Sequence, residues 1–323
     1  MSYPRTRLRR LRYNKVIRDL VDDTNLSTKD LIYPIFVCEG KNIKKEITSM
    51  PGQFQLSIDN VLKICDELVS KNIYSIILFG TPSKKDEEGL VASDENGIVQ
   101  RAIKEIKKKN KNILVIVDVC HCQYTTHGHC GTIKDGDVDN DSTLKNLGSQ
   151  ALSLVKAGAD VIAPSDMMDG RVKYIRNILD KSNYHKIPIF SYSVKYASSF
   201  YGPFRNATDI NLNFTDRKTY QMSFKSSSEA LREAEMDIKE GVDVIIIKPA
   251  LSYLDILYKI KSKYNIPVIA YNVSGEYSML KAASEKNWIQ SKETIFEILT
   301  SMKRAGANAI ITYHALEISD YLN

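Results

Sequence analysis

The sequence has 323 residues, of which 43% are hydrophobic and 26% charged, and these fractions exclude collagen-like, low-complexity and wholly disordered proteins. The formal net charge of +6 is too small to indicate a nucleic-acid partner by itself. The basic N-terminus lacks the apolar run of a secretory signal, and the longest apolar runs have only the length of strands. We therefore expect a cytoplasmic protein without a membrane segment. Five cysteines, three of them between residues 120 and 130, indicate a reducing compartment.

From residue 31 onward, short runs rich in β-branched residues alternate with longer amphipathic segments. Eight strands are predicted, at residues 31–37, 75–80, 113–119, 161–165, 187–193, 244–248, 267–273 and 309–314. Three segments, which begin at Lys156, Lys239 and Arg304, end a helix with glycine just before a strand. Repeated helix–glycine–strand junctions predict a parallel sheet covered by helices.

Eight such strands fit a (β/α)8 barrel, the α/β fold known as the TIM barrel. We assign the barrel to residues 27–323 and an N-terminal arm outside it to residues 1–26. A doubly wound open sheet is the rival fold. It is less favoured because no Gly-x-Gly-x-x-Gly motif follows the first strand.

Polar side chains recur at the carboxyl ends of the predicted strands, the face that carries active sites in TIM barrels. They follow or end six different strands and are Cys120, Ser165, Lys195, Lys248, Ser274 and Tyr313. The fold therefore predicts that these side chains meet at one mouth of the barrel.

Two of these residues are lysines with a common predicted chemistry. Lys248 ends an apolar strand, where burial disfavours the ammonium form, and a neutral amine can form a Schiff base with a ketone. The alternative is a lysine with a buried stem and a solvated head, and for Lys195 it is a surface lysine on a loop. Two lysines at one mouth favour the catalytic interpretation, since each disfavours the charge of the other.

The segment from Asp118 to Gly131 is a candidate metal site. Cys120, Cys122 and Cys130 offer three thiolates, which suit zinc and leave a fourth position open, as in catalytic zinc sites. His127 and His129 are alternative ligands. We favour the cysteines, because zinc takes thiolates readily.

Basic residues dominate two other segments. Arg205 and Arg217 lie in residues 194–226, a stretch long enough for a lid, where their guanidinium groups could clamp carboxylates; solvated surface charge is the alternative. The arm has seven basic residues before its first acidic one. It could bind nucleic acid or pack on a neighbouring subunit, and we favour the subunit because few stacking aromatics accompany the charges.

Several long, collinear motifs resemble those of the 5-aminolevulinate dehydratase (porphobilinogen synthase) family, in its zinc-cysteine branch. The matching segments are 120–131, 168–171, 191–205, 216–221, 248–249, 273–277 and 303–307. The resemblance implies a homo-octameric barrel enzyme, a lyase of haem biosynthesis. Such an enzyme condenses two 5-aminolevulinate molecules into porphobilinogen with loss of two waters.

The same resemblance implies roles for individual residues. Lys248 matches the lysine that forms the Schiff base with the first substrate, and Lys195 matches the lysine that binds the ketone of the other. The three cysteines match zinc ligands. The remaining matches are carboxylate-binding residues, namely Arg205, Arg217 and Gln221 for one substrate and Ser274 and Tyr313 for the other.

The resemblance also implies a remote site. Glu233 matches a position that holds an activating, allosteric magnesium ion in bacterial members, and Arg12 matches an arm residue tied to that site. His314 departs from the family pattern, which has an apolar or aromatic residue after the tyrosine. We expect no nucleic-acid or membrane partner.

Two other functions remain as alternatives. Another class I Schiff-base barrel enzyme of the aldolase type would need one lysine and a phosphate site, and would leave the cysteines unexplained. A zinc-stabilised nucleic-acid-binding module would use the basic arm, and its binding would depend steeply on salt.

Overall fold

The computed structural model describes residues 3–210 and 216–322. Its strands are β1 (Leu31–Cys38), β2 (Lys44–Glu46), β3 (Phe54–Leu56), β4 (Ser75–Thr81), β5 (Leu114–Val119), β6 (Ile133–Lys134), β7 (Asp137–Val138), β8 (Val161–Pro164), β9 (Phe190–Lys195), β10 (Val244–Lys248), β11 (Val268–Asn272) and β12 (Ala309–Thr312). Its α-helices are α1 (Lys15–Val21), α2 (Ile58–Ser70), α3 (Ile98–Lys109), α4 (Asn140–Lys156), α5 (Arg171–Lys181), α6 (Gly202–Ala207), α7 (Ser228–Glu240), α8 (Leu254–Lys263), α9 (Ser274–Glu285), α10 (Ser291–Arg304) and α11 (Ala315–Leu322).

Eight of the strands form a parallel barrel. Their order is β8-β5-β4-β1-β12-β11-β10-β9, and a parallel bridge between Ile162 and Ile189 joins the two ends of this sheet. The short strands β2 and β3 form an antiparallel pair beside β1. The prediction of a (β/α)8 barrel is confirmed.

The apolar residues divide into two layers, because successive side chains of a strand point to opposite faces. One layer fills the barrel interior and includes Ile77, Phe79, Ile116 and Ile246. The other lies between the strands and the helices and includes Leu78, Val115 and the helix residues that cover them. The strands are buried on both faces, which explains their nearly continuous apolar sequences.

The predicted helix ends and most strand bounds agree with the structure. The three junction glycines, Gly158, Gly241 and Gly306, all have positive φ angles, of 106°, 96° and 113°, as a glycine that ends a helix requires. Two strands differ from the prediction by more than one residue at an end. The fifth spans Phe190–Lys195 instead of residues 187–193, and the eighth ends at Thr312 instead of residue 314, so Tyr313 follows it.

Residues 8–21 of the arm do not pack into its own barrel, whereas Leu26 at the end of the arm belongs to the apolar core. Its helix α1 has no buried residue, and its apolar side chains are open to solvent, with Leu8 70%, Val16 73% and Leu20 81% exposed. Among the described helices, none combines the length and the apolar character that crossing a lipid bilayer requires.

A buried ion pair fastens two of the outer helices to the barrel. Arg171, at the start of α5, is 2% exposed, and its Nη2 donates to Asp237 Oδ2 of α7 at 3.0 Å and to Ser191 Oγ of β9 at 3.1 Å. Asp166 lies 4.0 Å from its Nε. Because charges this deeply buried are costly when unpaired, the pair constrains how α5 and α7 sit on the sheet.

We predict that Asp237→Asn lowers the free energy of unfolding by about 3 kcal/mol, because it leaves the Arg171 charge undercompensated. Chemical denaturation measures this change. Glu235→Gln is the matched control on the same helix, since its pair with Lys239 is solvent-exposed and should contribute less than about 1 kcal/mol. Equal stability of the two variants would contradict the prediction.

Candidate active site

The carboxyl ends of the barrel strands and the segment above them enclose one polar cavity. Five predicted site residues line it, namely Cys122, Lys195, Arg205, Arg217 and Lys248. The other lining residues are Phe79, Asp118, Gln123, Ser165, Tyr201 and Phe204. The structure therefore brings together side chains from the third, fifth and sixth barrel strands and from the lid segment.

The two lysines are adjacent because β9 and β10 are neighbouring parallel strands, in which the last residues, Lys195 and Lys248, are paired. The register shifts along this pair. Ser191 is opposite Ile245, but Val194 is opposite Ile247, so β9 contains one extra residue. This is a β-bulge, which locally re-aims the side chains of the strand that carries it.

The bulge reverses the alternation of β9. Tyr192 belongs to the barrel interior, whereas Val194, two residues later, packs in the outer layer. Lys195 consequently points into the cavity, to which strict alternation from Tyr192 would have directed Val194 instead. The bulge is thus what places the second lysine beside the first.

Both lysines are buried, with 4% of Lys195 and 5% of Lys248 exposed, so neither has a solvated head. The pKa of Lys248 is lowered to about 7, mainly by burial and also by the charge of Lys195, while the charge of Asp118 opposes the shift. The Nζ of Lys195 donates to the carbonyl oxygen of Ser165. A substantial fraction of Lys248 is therefore a neutral, nucleophilic amine near neutral pH.

Asp118, which the sequence analysis did not single out, is the carboxylate of this cavity. Burial raises its pKa to about 6, against the opposing charges of Lys248 and Lys195. Gln123 Nε2 donates to its Oδ2 at 3.3 Å, and its Oδ1 has no partner among the described residues. The signal in the sequence was an acidic residue inside the apolar run of β5, at an inward position.

The three cysteines form a compact, buried cluster. The sulfur atoms of Cys120, Cys122 and Cys130 lie within 4.8 Å of one another, with 3.4 Å between the first two. Hydrogen bonds from the other two thiols hold the pKa of Cys130 well below its usual value. Three convergent thiol groups, of which one readily ionises, can hold a metal ion that prefers thiolate ligands.

The two alternative ligands point elsewhere. His127 Nε2 is hydrogen-bonded to the carbonyl oxygen of Glu87 at 2.8 Å, and His129 Nδ1 to the hydroxyl of Tyr220 at 3.1 Å. Within the described ranges, the cysteine trio is the one group that brings three such ligand atoms together. The geometry thus favours the cysteines over the histidines.

Basic and amide groups without partners lie beside the cysteines. Arg217 is 7% exposed and donates from Nη2 to the carbonyl oxygen of Gly128 at 2.6 Å. The Nε atoms of Arg205 and Arg217 and the Nε2 of Gln221 have no partner among the described residues. Buried donors that lack acceptors are costly, so this set is suited to an anionic ligand such as a carboxylate.

Comparisons with known proteins agree with this geometry. The family model described as Delta-aminolevulinic acid dehydratase matches residues 5–321. The chain belongs to this family. A relative named Delta-aminolevulinic acid dehydratase from Bacillus subtilis (strain 168) is 52% identical over 322 residues, 100% of this chain and 99% of that relative. A relative of the same name from Archaeoglobus fulgidus is 49% identical over 99% of each chain.

A solved structure supports the same conclusion. Delta-aminolevulinic acid dehydratase (porphobilinogen synthase) from Toxoplasma gondii ME49, in complex with its reaction product porphobilinogen, superposes with a TM-score of 0.96. It is 44% identical and the match covers 98% of this chain and 91% of that one. The predicted family is confirmed, and with it the prediction of an enzyme of the lyase class.

Three residues expected to bind a substrate carboxylate in this dehydratase family, Gln221, Ser274 and Tyr313, lie outside the set that lines the cavity. Ser274 Oγ donates to the carbonyl oxygen of Phe200 at 3.3 Å and accepts from the backbone N–H of Phe204 at 3.0 Å. The Tyr313 hydroxyl is buried and 3.1 Å from that of Tyr271. Both groups are thus occupied by protein contacts.

The predicted magnesium residue of the dehydratase family, Glu233, lies on α7 in a separate surface pocket. Acidic neighbours in that pocket are Asp169, Glu229, Glu235, Asp237 and Glu240. Burial raises the pKa of Glu233, and Arg171 opposes the shift. The described contacts do not join Arg12 to Glu233; the carbonyl oxygen of Arg12 accepts from Arg18.

His314, the departure from the dehydratase pattern, lies behind the site. It is 1% exposed, its ring is 4.5 Å from that of Tyr277, and its Nδ1 is 3.3 Å from Glu317 Oε2. Burial lowers its pKa, and Glu317 opposes the shift. It does not belong to the residues that line the lysine cavity.

The predicted lid, residues 194–226, is anchored at both ends, although residues 211–215 lie outside the described residues. Ala197 N donates to the carbonyl oxygen of Met222 at 2.8 Å, and Met222 N to that of Lys195 at 3.2 Å. The segment rests on the start of α9 at Gly275, where a Cβ would lie 2.5 Å from the carbonyl oxygen of Phe200. Only glycine permits this close approach.

We predict that Gly275→Ala displaces the backbone at Phe200, because the added methyl collides with main-chain atoms that cannot rotate away. The segment from residue 196 to residue 207 should then be cleaved faster in limited proteolysis. Gly202→Ala is the matched control within that segment, since nothing lies within 4 Å of its Cβ position and its φ is −51°. Equal cleavage rates of the two variants would contradict the prediction.

Proposed function

We propose that this chain condenses two molecules of 5-aminolevulinate into porphobilinogen with loss of two waters, through Schiff bases on Lys248 and Lys195. The observation that carries the proposal is that these two lysines are paired at the ends of the neighbouring strands β9 and β10 and line one buried cavity. Two ketone substrates require two amines, and an aldolase-type barrel has use for only one. The names of the relatives support the same reaction.

Lys248 performs the first covalent step. Its neutral amine bonds to the ketone carbon of one substrate, and the carbonyl oxygen leaves as water. The resulting iminium ion acidifies the adjacent C–H bonds. Lys195 activates the ketone of the other substrate in the same way. Holding both ketones in one cavity replaces a bimolecular encounter by an intramolecular step.

Asp118 moves protons between these centres. Its pKa of about 6 lies close to neutral pH, where a general acid or base is most effective. Because its Oδ1 has no partner among the described residues, this oxygen can accept a proton from a substrate carbon or from a carbinolamine. The burial that raises the pKa of Asp118 also lowers that of Lys248, so the two groups are matched near neutrality.

The substrate carboxylates bind to the unpartnered donors. Arg205, Arg217 and Gln221 hold one carboxylate, and Ser274 with Tyr313 holds the other. The hydroxyl of Ser274 is hydrogen-bonded to Phe200 and that of Tyr313 to Tyr271. Hydrogen bonds to the substrate carboxylate must therefore replace these contacts when it binds. Charge-assisted hydrogen bonds are stronger than neutral ones, which favours the exchange.

The cysteine cluster holds a zinc ion. Cys120, Cys122 and Cys130 would supply the protein ligands, and their separation and burial suit a tetrahedral site with one open position. When bound, zinc polarises a carbonyl or hydroxyl oxygen and assists the departure of water. Cys122 also lines the lysine cavity, which supports a role for a zinc ion held there in the reaction of a substrate bound to the lysines.

The arm and Glu233 connect subunits of an octamer. The exposed apolar residues of the arm, such as Leu8 and Leu20, favour coverage by another copy of the chain. Glu233 can hold a hydrated magnesium ion, which needs only one or two protein carboxylates. A neighbouring arm would bring its Arg12 to that ion, so magnesium would favour the assembled state and act allosterically.

Borohydride reduction in the presence of 5-aminolevulinate should trap a covalent adduct on the peptide that contains Lys248. Lys248→Met should abolish both adduct and activity, because it keeps the methylene stem and removes the nucleophile. Mass spectrometry of the digested protein locates the adduct. Lys259→Met, a half-exposed lysine on α8, should change neither. An active preparation without an adduct on Lys248 would refute the proposal.

Removal of zinc by chelation, or Cys122→Ala, should abolish most activity and leave the circular dichroism spectrum of the barrel unchanged. The cluster lies in a loop above the strands, so it is not part of the apolar core. Metal analysis measures the zinc bound. Cys65→Ala, in helix α2, should keep the full zinc content. Full activity after complete removal of the metal would contradict a catalytic role.

Deletion of residues 1–12 should produce smaller oligomers in light scattering, because the deletion removes exposed apolar contacts and Arg12. Glu233→Ala should abolish activation by added magnesium and retain the zinc-dependent activity, since Glu233 lies outside the lysine cavity.

A truncated protein that remains octameric and still responds to magnesium would contradict the coupling between the arm and Glu233.

A further inference from the structure

In the part of the chain that the structure describes, four aromatic rings surround the amine of Lys248. Its Nζ lies 4.3 Å from the ring centre of Tyr271, 4.9 Å from that of Phe204, 5.2 Å from that of Tyr192 and 5.3 Å from that of Tyr201. We call these four rings the aromatic box. All are within the distance of about 6 Å at which a cation interacts with a ring face.

The neighbouring lysine has a different environment. Among the described residues, Lys195 Nζ has one ring in range, that of Tyr192 at 5.8 Å, and it donates to the carbonyl oxygen of Ser165. For Lys248 Nζ, the described residues provide neither a hydrogen bond nor an ion pair. The groups that directly contact the charge of Lys248 are therefore rings, with the charge of Asp118 acting without a hydrogen bond or ion-pair contact, whereas Lys195 has a hydrogen-bond acceptor.

The rings of the box come from different elements, and three of them are held by separate contacts. The Tyr201 hydroxyl donates to the carbonyl oxygen of Lys248 at 3.0 Å, and the Tyr271 hydroxyl contacts that of Tyr313 at 3.1 Å. The ring of Phe204 packs edge-on against Phe79 at 5.1 Å. A cation that forms at Lys248 thus meets ring faces that need little rearrangement.

We propose that the aromatic box stabilises the positive charge of the iminium ion on Lys248, so that its rings take part in the reaction as charge-stabilising groups. The inference rests on the proposed function, which places that iminium ion on Lys248. When it forms, the amine nitrogen bonds to the ketone carbon. The carbonyl oxygen leaves as water with one proton from the amine and one from the medium, and the nitrogen keeps one proton and the positive charge.

Rings suit this task better than a carboxylate would. A carboxylate paired with Lys248 would favour its ammonium form and remove the nucleophile, and it could also take the proton of the iminium ion. A ring face attracts a desolvated cation by only about 0.5–2 kcal/mol and accepts no proton. The box thus stabilises the iminium ion while leaving the amine free to react.

Fluorinated phenylalanines test the box without changing its shape. Each added fluorine withdraws electron density from the ring and weakens its attraction for a cation. We expect a series of mono-, di- and trifluorophenylalanine at position 204 to lower the apparent equilibrium constant for imine formation stepwise, by about fivefold in total. The readout is the fraction of Lys248 trapped by borohydride as 5-aminolevulinate is titrated.

Phe36 is the matched control. Its ring is 5.7 Å from that of Phe204 and shares the same aromatic cluster, but it is not among the rings that face Lys248. The same series at position 36 should leave imine formation unchanged. An equilibrium constant for imine formation that stays the same across the series at position 204, or that falls equally at both positions, would refute the role of the aromatic box.

A second series at position 271 keeps the test decisive if the variants at position 204 fold poorly. The ring of Tyr271 is the nearest of the four, so its substitution by phenylalanine and then by fluorinated phenylalanines should give a steeper decline with each fluorine. The two proposals fail differently. Absence of any adduct on Lys248 in the unmodified protein refutes the proposed function, whereas an adduct insensitive to fluorination at 204 and 271 refutes only the box.

Discussion

Repulsion between two lysine side chains confined to one water-poor cavity is the constraint on which the rest of this site depends. Lys195 and Lys248 are opposite each other on neighbouring strands, and both are buried. Neither amine is exposed to solvent, so the protonation state of Lys248 depends on the groups around it. Asp118 partly offsets the repulsion, the carbonyl oxygen of Ser165 accepts from Lys195, and rings surround Lys248. This division of partners gives two chemically identical side chains different roles.

The barrel supplies the rigidity that such an arrangement needs. Parallel strands place their ends at one mouth, and the extra residue in β9 turns Lys195 inward. The ion pair of Arg171 with Asp237 holds the helices behind β9. Above the mouth, Ser274 and Gly275 hold the lid segment close to Lys248. The lid contributes Tyr201 and Phe204 to the box, so residues that cover the cavity also surround the amine of Lys248.

Much of this fold could be predicted from the sequence, because β-branched runs and glycine helix ends are local signals. Lys248 was predictable since it ends an apolar strand. The bulge in β9 was not, because an extra residue is defined only by the register with a partner strand. The role of Asp118 was missed since one acidic residue in an apolar strand has no motif. The contacts of Ser274 and Tyr313 depend on the lid and on Tyr271, which are distant in sequence.

The dependence of Lys248 on its neighbour is the most direct test of this account. The measurement is the pH midpoint of borohydride trapping of 5-aminolevulinate on Lys248, in the unchanged protein and in Lys195→Met. Loss of the neighbouring charge should favour the ammonium form of Lys248, so its pKa should rise and the midpoint should move to higher pH. A midpoint that stays in place or moves to lower pH would contradict the claim that charge repulsion between the two lysines sets the reactivity of the site.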